Sequence, residues 1–153
     1  MIRTMTPQLQ AALADLNPGQ REAVLHQSSP LLILAGAGSG KTRVVTVKIA
    51  YLIDELGVDP RSILAVTFTN KAAGEMRERA ASLVEHASEV TIRTFHSFGA
   101  WMLRRNADAA GLPRDFSIYD DDDVVTLLHA LYPEHKRATM GRYARVISRA
   151  KDY

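Results

Sequence analysis

The chemistry most legible in this chain lies in the octapeptide Ala35-Gly36-Ala37-Gly38-Ser39-Gly40-Lys41-Thr42. Small residues let backbone N–H groups curl around phosphate oxygens, and glycine admits positive φ. A helix beginning near Gly40 would aim the positive end of its dipole at the same anion. In such a loop Lys41 would bridge the β- and γ-phosphates, and Thr42 would hold Mg²⁺ through its hydroxyl. The octapeptide fits the phosphate-loop pattern with Ala in place of the first Gly. The plainer reading is a small-residue turn beside a surface lysine. What separates the two is context: a buried strand before the loop and an amphipathic helix after it.

Both elements are written in the sequence. Leu31-Leu32-Ile33-Leu34-Ala35 is a continuous apolar run, as expected of a strand buried on both faces. After the loop, Val45, Ile49, Leu52 and Leu56 recur at helical spacing, and Gly57 and Pro60 mark the exit. Ile63 to Val66 reads as a second strand and Asn70 to His86 as a helix. Val90 to Thr94 reads as a third strand, followed by a helix through Phe98, Met102 and Leu103. Strands alternating with helices predict an α/β fold with a parallel sheet flanked by helices. Gly111-Leu112-Pro113 breaks this rhythm, and the rest reads as mainly helical. The expected division is 1–100 for the sheet-bearing part and 101–153 for a helical one.

Other candidates carry less. A P-loop enzyme needs a second carboxylate at a strand end, and the one Asp-Glu pair is Asp54-Glu55. It lies on the helix leaving the loop, off the apolar face, and is rejected for that role. The run Asp120 to Asp123 opens an apolar stretch, so Asp120 is expected to cap a helix rather than join a metal site. From Val124 onward Lys136, Arg137, Arg142, Arg145, Arg149 and Lys151 face only Glu134 and Asp152. That stretch suits either nucleic acid or a solvated helix face. The whole chain carries only +2 over 153 residues, so net charge decides little about partners. No cysteine is present, which excludes disulfides, thiolate metal sites and a thiol nucleophile. No apolar run approaches a membrane span, and no signal-peptide core opens the chain. The expected setting is the bacterial cytoplasm, with no membrane partner.

Four segments in order resemble superfamily-one DNA helicases of the UvrD/PcrA/Rep type. Leu16 to Val24, containing Asn17-Pro18-Gly19-Gln20, is similar to their Q motif, and Ala35 to Thr42 with Arg43-Val44 to their motif I. Ala65 to Ala73 with Glu75-Met76 is similar to motif Ia, and Thr91 to Phe98 to motif Ib. Phe116 to Asp120 resembles the family's entry into its second subdomain. The likeness runs from residue 16 to about 131. It implies a P-loop NTPase (RecA-like) sheet, incomplete, followed by the start of a helical insertion subdomain.

The resemblance also implies ATP and Mg²⁺ as cofactors. It assigns Gln20 to the adenine edge and Arg43 to stacking on the base. From the residues alone, Gln20 is better placed as the capping-box partner of Asn17. Thr67, Phe68, Thr69, Asn70 and Lys71, with Thr94, Phe95 and His96, would line a single-stranded DNA path. Without the resemblance, core packing would be the better reading of Phe68 and Phe95, and a structural role that of His96. In the family, ATP lies between two motor domains and drives 3′→5′ movement along one strand. The implied partners are single-stranded DNA, single-strand/duplex junctions and the remainder of a helicase chain carrying the second motor domain. No strand here ends in Asp-Glu, so the expectation is an N-terminal part that is inactive alone. Two other readings compete: a stand-alone module that binds nucleotide or DNA without catalysis, and a small P-loop phosphotransferase using other carboxylates.

Overall fold

The computed structural model describes residues 5–27, 29–36 and 38–151. The chain divides into two compact units, Met1–Trp101 and Met102–Tyr153. In the first unit, helix α1 (Pro7–Ala14) opens on Thr6, whose hydroxyl accepts from the Leu9 N–H. Helix α2 (Pro18–Leu25) opens on Asn17, with Pro18 in its first turn. Helix α3 (Lys41–Asp54) follows the glycine-rich loop. Strands β1 (Leu64–Thr67) and β2 (Thr91–Thr94) pair in parallel, with Thr67 opposite Thr94, and α4 (Asn70–Leu83) connects them. Helix α5 (Phe95–Arg105) follows β2 without an intervening residue.

Packing in this unit centres on α3, which lies against α1, α2 and α4. Its Val44, Val47, Ile49, Ala50 and Ile53 join Leu9, Leu13, Leu16 and Val24 from the first two helices. Ala73, Met76 and Ala80 of α4 and Ile92 of β2 complete the same cluster. The buried Thr46 hydroxyl donates to the Thr42 carbonyl, so its polarity is satisfied within the helix. Leu9 is fully buried, and truncating a side chain so placed costs about 2–5 kcal/mol.

Two expectations from the sequence are corrected. Leu31 to Ala35 is not a strand: it pairs with nothing in the two-stranded sheet, and Leu32 and Leu34 are 80% and 87% exposed. Burial of a strand on both faces requires neighbours on its edges and layers over its faces. Neither β1 nor β2 provides a neighbour. Leu31 and Ile33 instead line a groove of about 490 Å³ with Val45, Leu52 and Leu56. That groove explains the second correction. The stripe of Val45, Leu52 and Leu56 lies over it, half-covered or exposed, while Ile49 alone of the four enters the core. Helix α3 is apolar on more than one side, and the regular spacing picked out the less covered one.

The second unit contains α6 (Asp121–Leu131) and α7 (Arg137–Lys151), packed together. Among its described residues Ala107 and Met140 are the buried apolar ones. Asp120 caps α6 by accepting from the Asp122 and Asp123 N–H groups, while Asp123 accepts from the Asp120 N–H. Arg137 then donates to Asp122 at 2.6 Å and to the Thr126 hydroxyl, bracing the helix pair. The acidic run is thus spent on a cap and a brace. No described helix is long and apolar enough to cross a membrane.

Candidate functional site

Five helices, α1, α2, α4, α5 and α6, start on a side chain that accepts from their first-turn N–H groups. Helix α3 does not. Its N-cap is Gly40, at φ +83°, with no side chain to offer. The first N–H groups of a 14-residue helix therefore face the loop without a side-chain acceptor. Gly38 also has positive φ, and the Ser39 hydroxyl donates to the Gly36 carbonyl at 2.8 Å. Lys41 reaches back over the loop and donates to the carbonyls of Ala35 at 3.1 Å and Gly36 at 2.6 Å. Its ammonium and the open helix start thus converge on one small, exposed loop. Ala37 lies outside the described residues.

Helix α2 is fastened at one end to this loop and at the other to α3. Gln20 completes a capping box with Asn17: the Gln20 Oε1 accepts from the Asn17 N–H, and the Asn17 side chain accepts from the Gln20 N–H. The same amide donates through Nε2 to the Ser39 carbonyl at 3.0 Å. A side-chain amide has two N–H donors and two acceptor lone pairs, so one of each remains. Capping and ligand recognition therefore do not compete for Gln20. Gly40 makes room for it, since a Cβ there would lie 2.9 Å from the Gln20 Nε2. At the other end, Lys48 of α3 donates to the Val24 carbonyl at 2.7 Å and to that of His26. Burial pulls the Lys48 ammonium below the usual lysine range. Arg43, in the first turn of α3, pairs with Asp15.

A second cluster gathers at the carboxyl ends of the two strands. Phe68 and Phe95 each follow the last residue of a strand, and those last residues, Thr67 and Thr94, are register partners. Their rings meet with centroids 5.5 Å apart, and Phe68 is 88% exposed, so packing in the core is not the role of either. Thr67 and Thr94 are buried beneath them and hold the junctions. The Thr67 hydroxyl donates to the Thr69 carbonyl, and the Thr69 hydroxyl accepts from the Ala72 N–H, capping α4. Thr94 and Ser97 exchange bonds: the Ser97 Oγ accepts from the Thr94 N–H, and the Thr94 Oγ1 from the Ser97 N–H. Asn70, Lys71 and His96 stand exposed at the two helix starts. In parallel α/β sheets the carboxyl ends of strands are where ligands bind.

Sequence reasoning missed Asp15, Lys48 and Ser97. Only Ser97 had a local signal, a hydroxyl three residues after Thr94 at a helix start. Asp15 and Lys48 act through residues 28 and at least 22 positions away, respectively, and no spacing announces that. Asp54, the last residue of α3, accepts from the Thr6 N–H at 2.7 Å. Among the described residues no group of three or more His, Asp or Glu gathers as a metal site. Of the donors expected for Mg²⁺, the half-buried Thr42 hydroxyl stands in the first turn of α3, where it could serve only beside phosphate oxygens.

Comparison with known proteins adds an independent finding. Residues 16–152 match the family described as the UvrD/REP helicase N-terminal domain. The chain is 53% identical over 116 residues to the ATP-dependent DNA helicase PcrA of Staphylococcus aureus (strain Mu50), a match covering 75% of the chain and 16% of that protein. It is 50% identical over 123 residues to the ATP-dependent DNA helicase PcrA of Bacillus subtilis (strain 168), covering 80% and 17% respectively. The PcrA of Staphylococcus epidermidis matches at 53%, again over 75% of the chain and 16% of the relative. The chain thus spans about one sixth of the length of these relatives.

Proposed function

We propose, for a chain that belongs to the UvrD/REP helicase N-terminal domain family, that it supplies the ATP-binding loop and part of the single-stranded DNA path of an ATP-dependent DNA helicase. The observation that carries this reading is the uncapped start of α3 beneath Lys41 and the positive-φ glycines. A helix start without a side-chain acceptor is an anion site. In this reading a triphosphate takes over the Lys41 ammonium from the loop carbonyls and accepts from the first N–H groups of α3. The spare donor and acceptor of Gln20 meet the adenine edge, and the flat face of Arg43 stacks on the base. The Thr42 hydroxyl would help hold Mg²⁺ brought by the triphosphate, and the ion would supply neutralisation of the phosphate charge.

The Phe68–Phe95 pair offers a stacking platform for unpaired bases, which is indifferent to their sequence. Helix starts at Asn70 and Phe95 supply N–H groups for the DNA backbone, with Lys71 and His96 beside them. Residues 1–100 then form the first part of a RecA-like motor domain, and 101–153 begin a helical subdomain. The second wall of the ATP cleft, the water-positioning carboxylate and movement with 3′→5′ polarity belong to a longer helicase chain. Single-strand/duplex junctions would be its substrate.

Two measurements test this. The chain should bind Mg·ATP, and Lys41→Ala should abolish the binding; equal affinity in the variant would remove the reading. The 153-residue chain should show no DNA-stimulated ATP hydrolysis on its own. Turnover that disappears with Lys41→Ala, in a preparation free of any longer helicase, would overturn that second statement.

A further inference from the structure

Asp15 is the residue that closes α1, and its carboxylate pairs with the Nη2 of Arg43 in the first turn of α3. Both side chains are open to water, 74% for Asp15 and 42% for Arg43. Exposed pairs of this kind contribute little to stability, so holding the fold together is a poor account of this one. Its position is more informative. A Cβ on Gly40 would have the Gln20 Nε2 at 2.9 Å and the Arg43 Cβ at 4.0 Å, so the tip of the Gln20 side chain and the root of the Arg43 side chain lie near one point. The Gln20 amide is fixed there by Asn17 and Ser39. Among the described residues, Arg43 is held at its far end by Asp15.

A guanidinium meets a carboxylate along its edge, which leaves its flat faces uncovered. A free arginine must surrender its rotamers when a base stacks on it, and a guanidinium already held gives up less. We propose that Asp15 is a positioning residue for the nucleobase of ATP: it fixes the edge of Arg43 so that a face is presented on the Gln20 side of the loop. This rests on the reading of Gln20 and Arg43 as the base side of the nucleotide site. Asp15 touches neither base nor phosphate, and its effect passes through Arg43.

The test compares a ligand that has a base with one that has none. Mg·ATP and Mg·tripolyphosphate are titrated calorimetrically into the parent chain, Asp15→Ala and Asp15→Glu, with thermal melts as the folding control. Asp15→Ala should weaken ATP binding roughly three- to tenfold, the loss of one cation–π contact at a partly exposed site. Tripolyphosphate affinity should change by less than about twofold, and Asp15→Glu should recover most of the ATP affinity. Unchanged or tighter ATP binding by Asp15→Ala overturns the proposal, as does an equal loss for both ligands. A parent chain that binds tripolyphosphate as tightly as ATP overturns it too, while the phosphate loop stands. A parent chain that binds neither removes the nucleotide reading itself, and this proposal with it.

Discussion

The starts of α3 and α6 are two outcomes for the positive end of a helix. Both follow short runs that invite a ligand reading, glycines and a lysine in one, four aspartates in the other. At α6 the invitation is withdrawn by the chain itself: Asp120 and Asp123 satisfy each other's N–H groups, and Asp122 is taken by Arg137. At α3 the N-cap is a glycine at φ +83°, with no side chain to accept. The neighbouring side chains support this open end rather than fill it, with Gln20 on Ser39 and Lys48 holding α2 in place. A charged cluster is therefore weak grounds for a site when its members can satisfy one another. An unsatisfied helix start held rigidly from several sides is stronger grounds.

That contrast can be broken most severely at Lys41. Lys41→Ala should lower ATP turnover of a helicase containing this chain by about 100-fold or more, because a charge aimed at the developing phosphate charge is lost. Steady-state ATPase assays of the longer enzyme read this directly. Gly40→Ala comes next. A side chain at φ +83° is strained, and its Cβ would meet the Gln20 amide at 2.9 Å. The expected loss is about 1–2 kcal/mol in urea denaturation, together with weaker ATP binding as Gln20 leaves Ser39. At the sealed start, Asp120→Ala should cost about 1 kcal/mol of stability and leave ATP affinity unchanged. A fall in ATP affinity there would erase the contrast between the two helix starts.

The smallest effect concerns Lys48. Its folded pKa lies below the unfolded value because burial disfavours the ammonium. Between those two values the unfolded chain binds more protons, so stability should rise as pH increases through that window. As pH falls through the folded value, this contribution is lost. Lys48→Met should flatten that part of a stability-versus-pH curve, followed by chemical denaturation, and loosen α2.

Much of the geometry of the glycine-rich loop was legible because it is local. Each feature needed, from positive-φ glycines to the lysine and the following helix, sits within a few residues of the next. The caps at Asn17 and Asp120 were legible for the same reason. The strand expected at Leu31 to Ala35 was not, because apolar composition states only that a segment should be covered. Whether a neighbour exists on its edge is settled elsewhere in the molecule. For Phe68 and Phe95 the residues alone pointed to the core, and only the resemblance put them on an exposed path. Aromatic residues beside strands are usually core, yet here both strands end in register and both rings stand outward together.

The sequence by itself determined the glycine turns of the loop, the helix starts and, through its motifs, the family. These depend on residue type and short spacing, where one residue's backbone preference or hydrogen-bonding reach decides the outcome. Tertiary structure alone decided that Gln20 serves cap and loop at once, that Asp15 reaches Arg43, and that two phenylalanines form one platform. Those outcomes depend on packing α1, α2 and α4 around α3 and on the register of β1 with β2. Side chains far apart in the chain meet only when burial of a shared core has fixed the elements that carry them.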